Sequence, residues 1–304
     1  MGKKYFLFFG FLFLLVVAGC ETGGGDKVVD VERFRGTSDG VSLAFASGKP
    51  LTEFNIGDSV PVEVILRNGG EYDIGVGDAK VKLGGINLAT FDLQAGYKPT
   101  TGPLRGLSQL ASDPGEQRIS FGNMKYKGEI LSGSSSFRIN ANVCYPYQTN
   151  VETSICVSSS SFVETGGESV CSVEGEKIQS GDVSSAPVQV TSLTEKHFGS
   201  DKIKITMEVK NVGTGNVYSP TTECDNLGDE GIVNIDIFPN DVQCFDFISG
   251  EPNDHGQIRL VNGAKTLDCR RTVAIGDNYE DKLLIKLNYI YTDSVSKDFT
   301  VFNV

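Results

Sequence analysis

Short stretches in which apolar and polar residues alternate recur along most of the chain. Between residues 202 and 210 every second residue is apolar, and the residues between them are lysine, threonine or glutamate. Residues 60–66 largely repeat this alternation. A period of two is typical of a half-buried strand, because successive side chains point to opposite faces of a sheet. Helical periodicity is almost absent, so the pattern predicts an all-β protein.

Turn-forming clusters of Gly, Asn, Asp and Pro separate these stretches. About seven short strands in each half of the chain are typical of Ig-like sandwiches. We therefore predict two tandem Ig-like antiparallel β-sandwich domains, at residues 37–165 and 166–304, divided at a Gly- and Ser-rich region. The second domain would begin with a disulfide-stapled segment. The predicted strands include 41–45, 60–66, 79–83, 89–93, 117–121, 128–131, 136–145, 151–157, 203–209, 232–238, 282–291 and 296–304.

Residues 1–20 have the pattern of an export signal. Lys3 and Lys4 precede an apolar run that is too short to cross a membrane, and small residues follow it. The sequence Val-Ala-Gly-Cys ending at Cys20 resembles a lipobox, in which the cysteine becomes lipidated. We predict a signal peptide at 1–19, a lipid on Cys20 and a Gly-rich tether at 20–36, which would hold the protein at the extracytoplasmic face of the membrane.

The six other cysteines are expected to form disulfides, because an even number outside the cytoplasm usually pairs. The segment Tyr-Pro-Tyr-Gln-Thr-Asn between Cys144 and Cys156 is typical of a bend, which would place these two cysteines across a hairpin. Turn signals also separate Cys244 from Cys269, and the last pair follows by elimination. Their spacing does not fit a zinc site. The expected pairs are Cys144–Cys156, Cys244–Cys269 and Cys171–Cys224.

A long loop at residues 102–114 interrupts the strand pattern. Leu104, Leu107 and Leu110 lie three residues apart, as they would on one helical turn. Long loops often carry function, so these leucines form a possible interaction loop. The alternative is that they cover an open end of the first core, because apolar loop residues usually fold inward.

Two acidic clusters, at 225–230 and 277–281, offer carboxylates of the kind that calcium binds in loops. The candidate ligands are Asp225, Asp229, Asp277 and Asp281. Neither cluster has the residue order of a dedicated calcium loop, and the alternative is that both are solvated turns. We predict no metal and no other cofactor.

Catalytic motifs are poorly represented. The chain has only two histidines, His197 and His255, and both are expected in exposed loops with no acidic partner at helical or hairpin spacing. Residues 36–40 match G-x-S-x-G, but the strand and helix that flank a nucleophile elbow are not predicted. The net charge of −12 disfavours binding to nucleic acid. We therefore expect a protein that is not an enzyme and has no nucleic-acid partner.

A repeated signature joins the two halves: an alternating strand, a basic residue, an asparagine and then glycine. It occurs at 67–70 and at 209–213. The second copy resembles the CARDB-type Ig-like modules of bacterial and archaeal surface proteins. Together with the expected Cys144–Cys156 hairpin and residues 257–263, the layout resembles exported lipoproteins of uncultivated archaea. The resemblance implies an Ig-like fold and a surface location, with the asparagine and glycines shaping a turn.

These observations favour a membrane-anchored extracytoplasmic lipoprotein that acts as a non-catalytic binding, adhesion or structural module. Its expected partners are membrane lipid, through the N-terminus, and an unknown protein or surface polymer. An accessory subunit of a larger envelope assembly, such as a filament, S-layer or secretion complex, is the alternative. A metal-dependent hydrolase is the remote alternative.

Overall fold

Strands dominate the computed structural model, which describes residues 33–160 and 169–303. A short 3-10 helix lies at Leu88–Phe91. The strands, in chain order, are β1 (Val41–Phe45), β2 (Glu53–Asn55), β3 (Val60–Asn68), β4 (Lys80–Gly84), β5 (Lys98–Pro99), β6 (Gly115–Met124), β7 (Gly133–Ser158), β8 (Val188–His197), β9 (Lys202–Asn211), β10 (Asn216–Tyr218), β11 (Ile232–Phe238), β12 (Val242–Cys244), β13 (His255–Arg259), β14 (Ala264–Thr272) and β15 (Asn278–Asn303).

The alternation in the sequence appears directly as alternating burial. In β9, Ile203, Ile205, Met207 and Val209 are each 0% exposed, and the charged residues between them face outward. In β3 the apolar positions are buried in the same way. Each of these strands therefore contributes one apolar face to a core, as predicted.

The two longest strands, β7 and β15, have 26 residues each and lie at the centre of the largest sheet. They pair antiparallel over their whole lengths, from Gly133 opposite Asn303 to Ser158 opposite Asn278. The sequence predicted two shorter strands in place of each. The bend expected at 145–150 is absent, because Tyr145, Tyr147 and Thr149 point to the same buried face and so continue the strand alternation.

Three sheets give a sandwich-like arrangement. The eight-stranded sheet has the order β13-β11-β15-β7-β4-β5, with β10 and β2 also pairing with β15. The sheets β1-β3-β6 and β12-β14-β9-β8 bury residues in the same core as the inward face of β7 and β15. Pairing is antiparallel except between β2 and β15. The fold is thus all-β and Ig-like in its packing, as predicted.

The two halves of this arrangement share the long strands. The first half contains β1–β6 and the second contains β8–β14. The start of β7 and the end of β15 pair within the first half, whereas the end of β7 and the start of β15 pair within the second. Contacts group the described residues into one unit. Strand pairing therefore crosses the boundary that we predicted between residues 165 and 166, and that boundary stays a prediction.

The disulfides correct two of the three expected pairs. The structure joins Cys144 to Cys224 and Cys156 to Cys171, so the predicted Cys144–Cys156 and Cys171–Cys224 pairs are wrong. Cys144 and Cys156 lie 12 positions apart on the single strand β7, which separates them by roughly 40 Å. The predicted Cys244–Cys269 pair is confirmed, between directly opposed residues of β12 and β14.

Two further predicted strands are absent. Residues 89–93 lie mostly in the 3-10 helix, where Phe91 packs into the core at 1% exposure. Residues 128–131 form a loop, with Ile130 buried and Leu131 at 94% exposure. Phe91 and Ile130 anchor these two stretches to the core, but neither stretch belongs to a sheet.

The N-terminal predictions fall mainly outside the described residues. The signal at 1–19, Cys20 and most of the tether at 20–36 lie there. The last residues of the predicted tether contact the strands and loops that follow, since Arg33 pairs with Glu152 at 3.0 Å and the Arg35 N–H donates to Glu71. Among described residues, no helix has the length and apolar character needed to cross a membrane.

Candidate binding site at the junction of the two halves

The repeated Asn-Gly signature forms the same turn in each half. Asn68 Nδ2 donates to the carbonyl oxygen four residues later at 2.7 Å, and Asn68 Oδ1 accepts from the N–H two residues later at 3.2 Å. Asn211 makes the same two bonds at 2.8 and 3.2 Å. An asparagine that hydrogen-bonds its own downstream backbone is typical of a tight turn after a strand. The turn role implied by the resemblance thus agrees with these contacts.

Tyrosines from the two long strands close these turns. The Tyr147 hydroxyl donates to Asn68 Oδ1, and the Tyr291 hydroxyl donates to Asn211 Oδ1, both at 3.3 Å. The internal repeat is therefore visible in side-chain contacts as well as in sequence. Tyr147 of β7 thus closes the turn of the first half, and Tyr291 of β15 closes the turn of the second half.

A second pair of tyrosines completes the repeat. The hydroxyl of Tyr145 accepts from the N–H of Val41, the first residue of β1, at 3.1 Å. The hydroxyl of Tyr289 accepts from the N–H of Val188, the first residue of β8, at 3.3 Å. The four tyrosine rings pack against one another along the junction in edge-on or tilted pairs, with centroids 5.8–6.3 Å apart. Such aromatic pairs add stability beyond their buried area, so they join the two cores.

A groove of about 270 Å³ opens beside this cluster. Asp39 and Asp293 lie in its lining, together with Tyr145 and Tyr291. Hydroxyl groups hold both carboxylates: Thr37 Oγ1 donates to Asp39 at 2.8 Å, and Thr214 Oγ1 donates to Asp293 at 3.3 Å. The groove therefore presents two oriented carboxylates above an aromatic floor, which suits hydrogen bonding to hydroxyl or amine groups of a ligand.

Burial sets the protonation of the tyrosines. It raises the pKa of Tyr145 well above its ordinary value and raises the pKa of Tyr291 to about 12. Both hydroxyls stay protonated near neutral pH, so they act as fixed hydrogen-bonding groups. Ser38 of the G-x-S-x-G match also lines the groove, whereas neither histidine does. His197 is half-buried at the end of β8, so its prediction as an exposed loop residue is wrong. His255 is exposed as predicted, but it is the first residue of β13 and not a loop residue.

The three leucines of the loop at 102–114 differ in burial and do not form one surface. Leu104 is fully buried and exchanges two backbone hydrogen bonds with Ile74 at 3.0 Å each. Leu107 is half-buried, and Leu110 is fully exposed. The helical turn is absent from this loop. Leu104 therefore covers the core as the alternative expected, and only Leu110 is available to a partner.

The candidate calcium ligands are separated and differently engaged. Asp229 pairs with Arg259 at 2.8 Å, and Asp281 pairs with the buried Arg271 at 2.7 Å. Asp277 accepts from the backbone N–H of Ala274. Asp225 is exposed. In the part of the chain that the structure describes, no three His, Cys, Asp or Glu side chains cluster as metal ligands would.

The groove residues Asp39 and Asp293 were not predicted from sequence. They lie at opposite ends of the chain and meet because β15 returns beside β7. A local signal existed for Asp39, which sits in a turn-like Asp-Gly pair directly before β1. No comparable signal marks Asp293, which lies within a strand.

Comparisons with known proteins add little to this geometry. No protein-family model matches the chain, and no curated protein matches it. Among solved structures, a collagen adhesin (CNA) from S. aureus aligns with 88% of this chain and 94% of that chain, at 10% sequence identity and a TM-score of 0.12. A likeness at that level supports no argument about fold or function.

Proposed function

We propose that this protein is an exported module at the cell surface that acts by binding and not by catalysis. The observation that carries the proposal is the set of three disulfides, since such bonds form and persist in oxidising compartments. A disulfide-braced all-β fold is compatible with a surface module. The junction groove offers it a place for a ligand.

Attachment through a lipid on Cys20 belongs to the same proposal. Its support is the sequence of residues 1–20, with a charged start, an apolar run and a small pair before the cysteine. The placement of the protein at the extracytoplasmic face of the membrane follows from that attachment. The similarity to CARDB-type modules remains a prediction, because no family model matches the chain.

A binding role is favoured by the chemistry of the groove. Its tyrosines stay protonated near neutral pH, and each of its two carboxylates accepts a hydrogen bond from a neighbouring threonine. These groups are held in place by turns and strands, as a preformed recognition surface requires. We infer that the ligand is a protein or a surface polymer carrying hydroxyl or amine groups.

Intact mass measured on protein extracted from its native membrane tests the proposal. We expect a chain that lacks residues 1–19, carries lipid on Cys20 and reveals six thiols only after reduction. The matched control is a Cys20→Ala variant, which should appear unlipidated. An unlipidated wild-type chain with free thiols would contradict both the anchor and the compartment.

One observation favours the alternative role as a subunit of a larger assembly. Phe238 of β11 and Leu284 of β15 are opposite neighbours on the outer face of the eight-stranded sheet, at 41% and 39% exposure. A partner subunit that covered these two side chains would remove their apolar surface from water. Gentle detergent extraction followed by light scattering distinguishes the two roles. An assembly subunit should have a mass of several chains, and the Phe238→Ser substitution should reduce it to that of one chain. A separate module should have the mass of one chain in both cases.

A further inference from the structure

A row of positive side chains crosses the outer face of the four-stranded sheet. Lys196 of β8 lies opposite Lys204 of β9, and Lys204 lies opposite Arg270 of β14. All three point away from the core, since Lys204 and Arg270 lie between buried residues of their strands and Lys196 follows the buried Glu195. Like charges that face each other across strands destabilise a sheet. Three in one row are therefore unexpected in a chain of net charge −12.

Arg270 is held between two aromatic rings. Its guanidinium carbon lies 4.4 Å from the ring centre of Phe198 and 4.6 Å from that of Phe245. These phenylalanines are 41% and 37% exposed, so both rings also face solvent. Contact with both rings restricts the guanidinium group and leaves its N–H donors for ligand oxygens. The arrangement prepares Arg270 to bind an anion with two parallel hydrogen bonds.

Asp268 offsets part of this positive charge, because it pairs with Lys204 and the charge of Lys196 also lowers its pKa. Lys204 pairs with Asp268 at 2.6 Å, and the nearby Asp246 lies 3.8 Å from Lys265. Across residues 33–160 and 169–303, neither Lys196 nor Arg270 forms an ion pair or a side-chain hydrogen bond with protein. The row thus keeps a local excess of positive charge. Acidic residues elsewhere on the chain repel an anionic ligand only weakly here, because salt screens charges beyond roughly 10 Å.

We propose that this face binds a carboxylate-bearing polysaccharide, with Arg270 as the main contact and Lys204 and Lys196 as further contacts along the row. The proposal names a partner class for the surface module proposed above and rests on that function. Neighbouring strands are about 4.8 Å apart, so the row places three cationic side chains along one line, as binding of a linear polymer with repeated carboxylates requires. The exposed rings of Phe198 and Phe245 would pack against the apolar faces of sugar rings.

The position of the row favours this ligand over a peptide. Peptides that bind through their backbones add to a sheet edge, where N–H and C=O groups are unpaired. Strands β9 and β14 are paired on both sides, so this face offers only side chains. Duplex nucleic acid is disfavoured because a few cations neutralise few phosphates, and the chain as a whole is acidic.

Binding of the full chain to polygalacturonate at low salt, measured by interferometry, tests the proposal. We expect saturable binding that weakens as salt rises, with neutral dextran not bound. Arg270→Gln should lower the affinity about tenfold or more, because it removes a charged hydrogen-bonding group. Arg270→Lys should remain several-fold weaker than wild type, since it restores charge without the stacked plane. Lys286→Gln, which removes an exposed lysine from β15, is the matched control and should bind as wild type does.

Several outcomes would overturn this proposal. They are no binding by the wild-type chain, equal binding of dextran, an unchanged affinity in a folded Arg270→Gln variant, or duplex DNA, an acidic peptide or anionic vesicles bound as tightly as polygalacturonate. Thermal melts establish that each variant is folded. The location of the chain is measured separately. A cytoplasmic chain that still bound polygalacturonate through Arg270 would contradict the surface function and leave this site in place.

Discussion

Removing the Cys144–Cys224 disulfide should cost more stability than removing either of the others. This bond joins residues 80 positions apart, whereas Cys244–Cys269 and Cys156–Cys171 span 25 and 15. A cross-link restricts the unfolded chain, and the restriction grows with the logarithm of the loop it closes. The change to make is a double alanine substitution at each pair, since alanine leaves no unpaired polar group where Cys144 is buried.

The loop lengths set the expected sizes. At 25 °C the loop entropy corresponds to about 4.5 kcal/mol for Cys144–Cys224, about 3.5 kcal/mol for Cys244–Cys269 and about 3 kcal/mol for Cys156–Cys171. The first value is a large share of the roughly 5–15 kcal/mol that stabilises an ordinary domain.

Equilibrium unfolding in urea, followed by tyrosine fluorescence and circular dichroism, measures the three losses. We expect the loss in the free energy of unfolding to be largest for the variant without Cys144–Cys224 and smallest for the variant without Cys156–Cys171. The slope of this free energy against urea concentration should rise where the unfolded chain expands. Mass mapping of non-reduced peptides should recover the Cys144–Cys224 peptide in the wild type. If the Cys144–Cys224 variant lost less stability than the Cys156–Cys171 variant, the loop-entropy argument would be refuted.

Three other changes probe the packing. Burial raises the pKa of Glu195 despite its contacts with the Cys156 N–H and Lys177. The folded state therefore binds the carboxyl proton of Glu195 more tightly than the unfolded state does. As pH rises from the unfolded pKa of about 4.3 through the raised folded pKa, the wild type should lose stability relative to Glu195→Gln. Parallel profiles of stability against pH would contradict this. Gly70→Ala should destabilise by about 2 kcal/mol or more, because the new Cβ would meet the Asp39 backbone oxygen at 2.5 Å. In the control Gly84→Ala, the new Cβ would lie 3.8 Å from Asn142 Nδ2, which is an ordinary contact. Equal melting temperatures of the two variants would contradict the clash. Residues 33–165 expressed alone should not fold, because β15 is missing; circular dichroism checks this, and a cooperative melt would contradict it.

The local features of this fold could be predicted from the sequence. Alternation identified β3 and β9 because burial of one face depends only on nearby residues. The asparagine turns were predictable for the same reason, since Asn68 and Asn211 bond to their own downstream backbone. Cys244 and Cys269 were paired correctly because turn signals separate their two strands, whose register then opposes them.

Features set by distant pairing could not be predicted. The Tyr-Pro-Tyr segment looks like a bend locally, yet Pro146 sits opposite Ile290 inside a long ladder. Nothing near Cys144 in sequence indicates that Cys224 will lie beside it. The groove has the same origin, since Asp39 and Asp293 meet only after β15 has returned along β7. The row through Arg270 likewise depends on the registers of three strands.

The shared strands make the two halves depend on each other. Residues 133–142 of β7 pair with residues 294–303 of β15, so the first half is completed by the last strand of the chain. Closing such a long loop costs little more free energy than closing a shorter one, but pairing at this separation is slow. Cys144–Cys224 ties β7 to the loop after β10 in the second half, and one continuous core runs through the tyrosine junction. Loss of packing in either half therefore removes partners from both long strands, and we expect a single cooperative unfolding transition and not two.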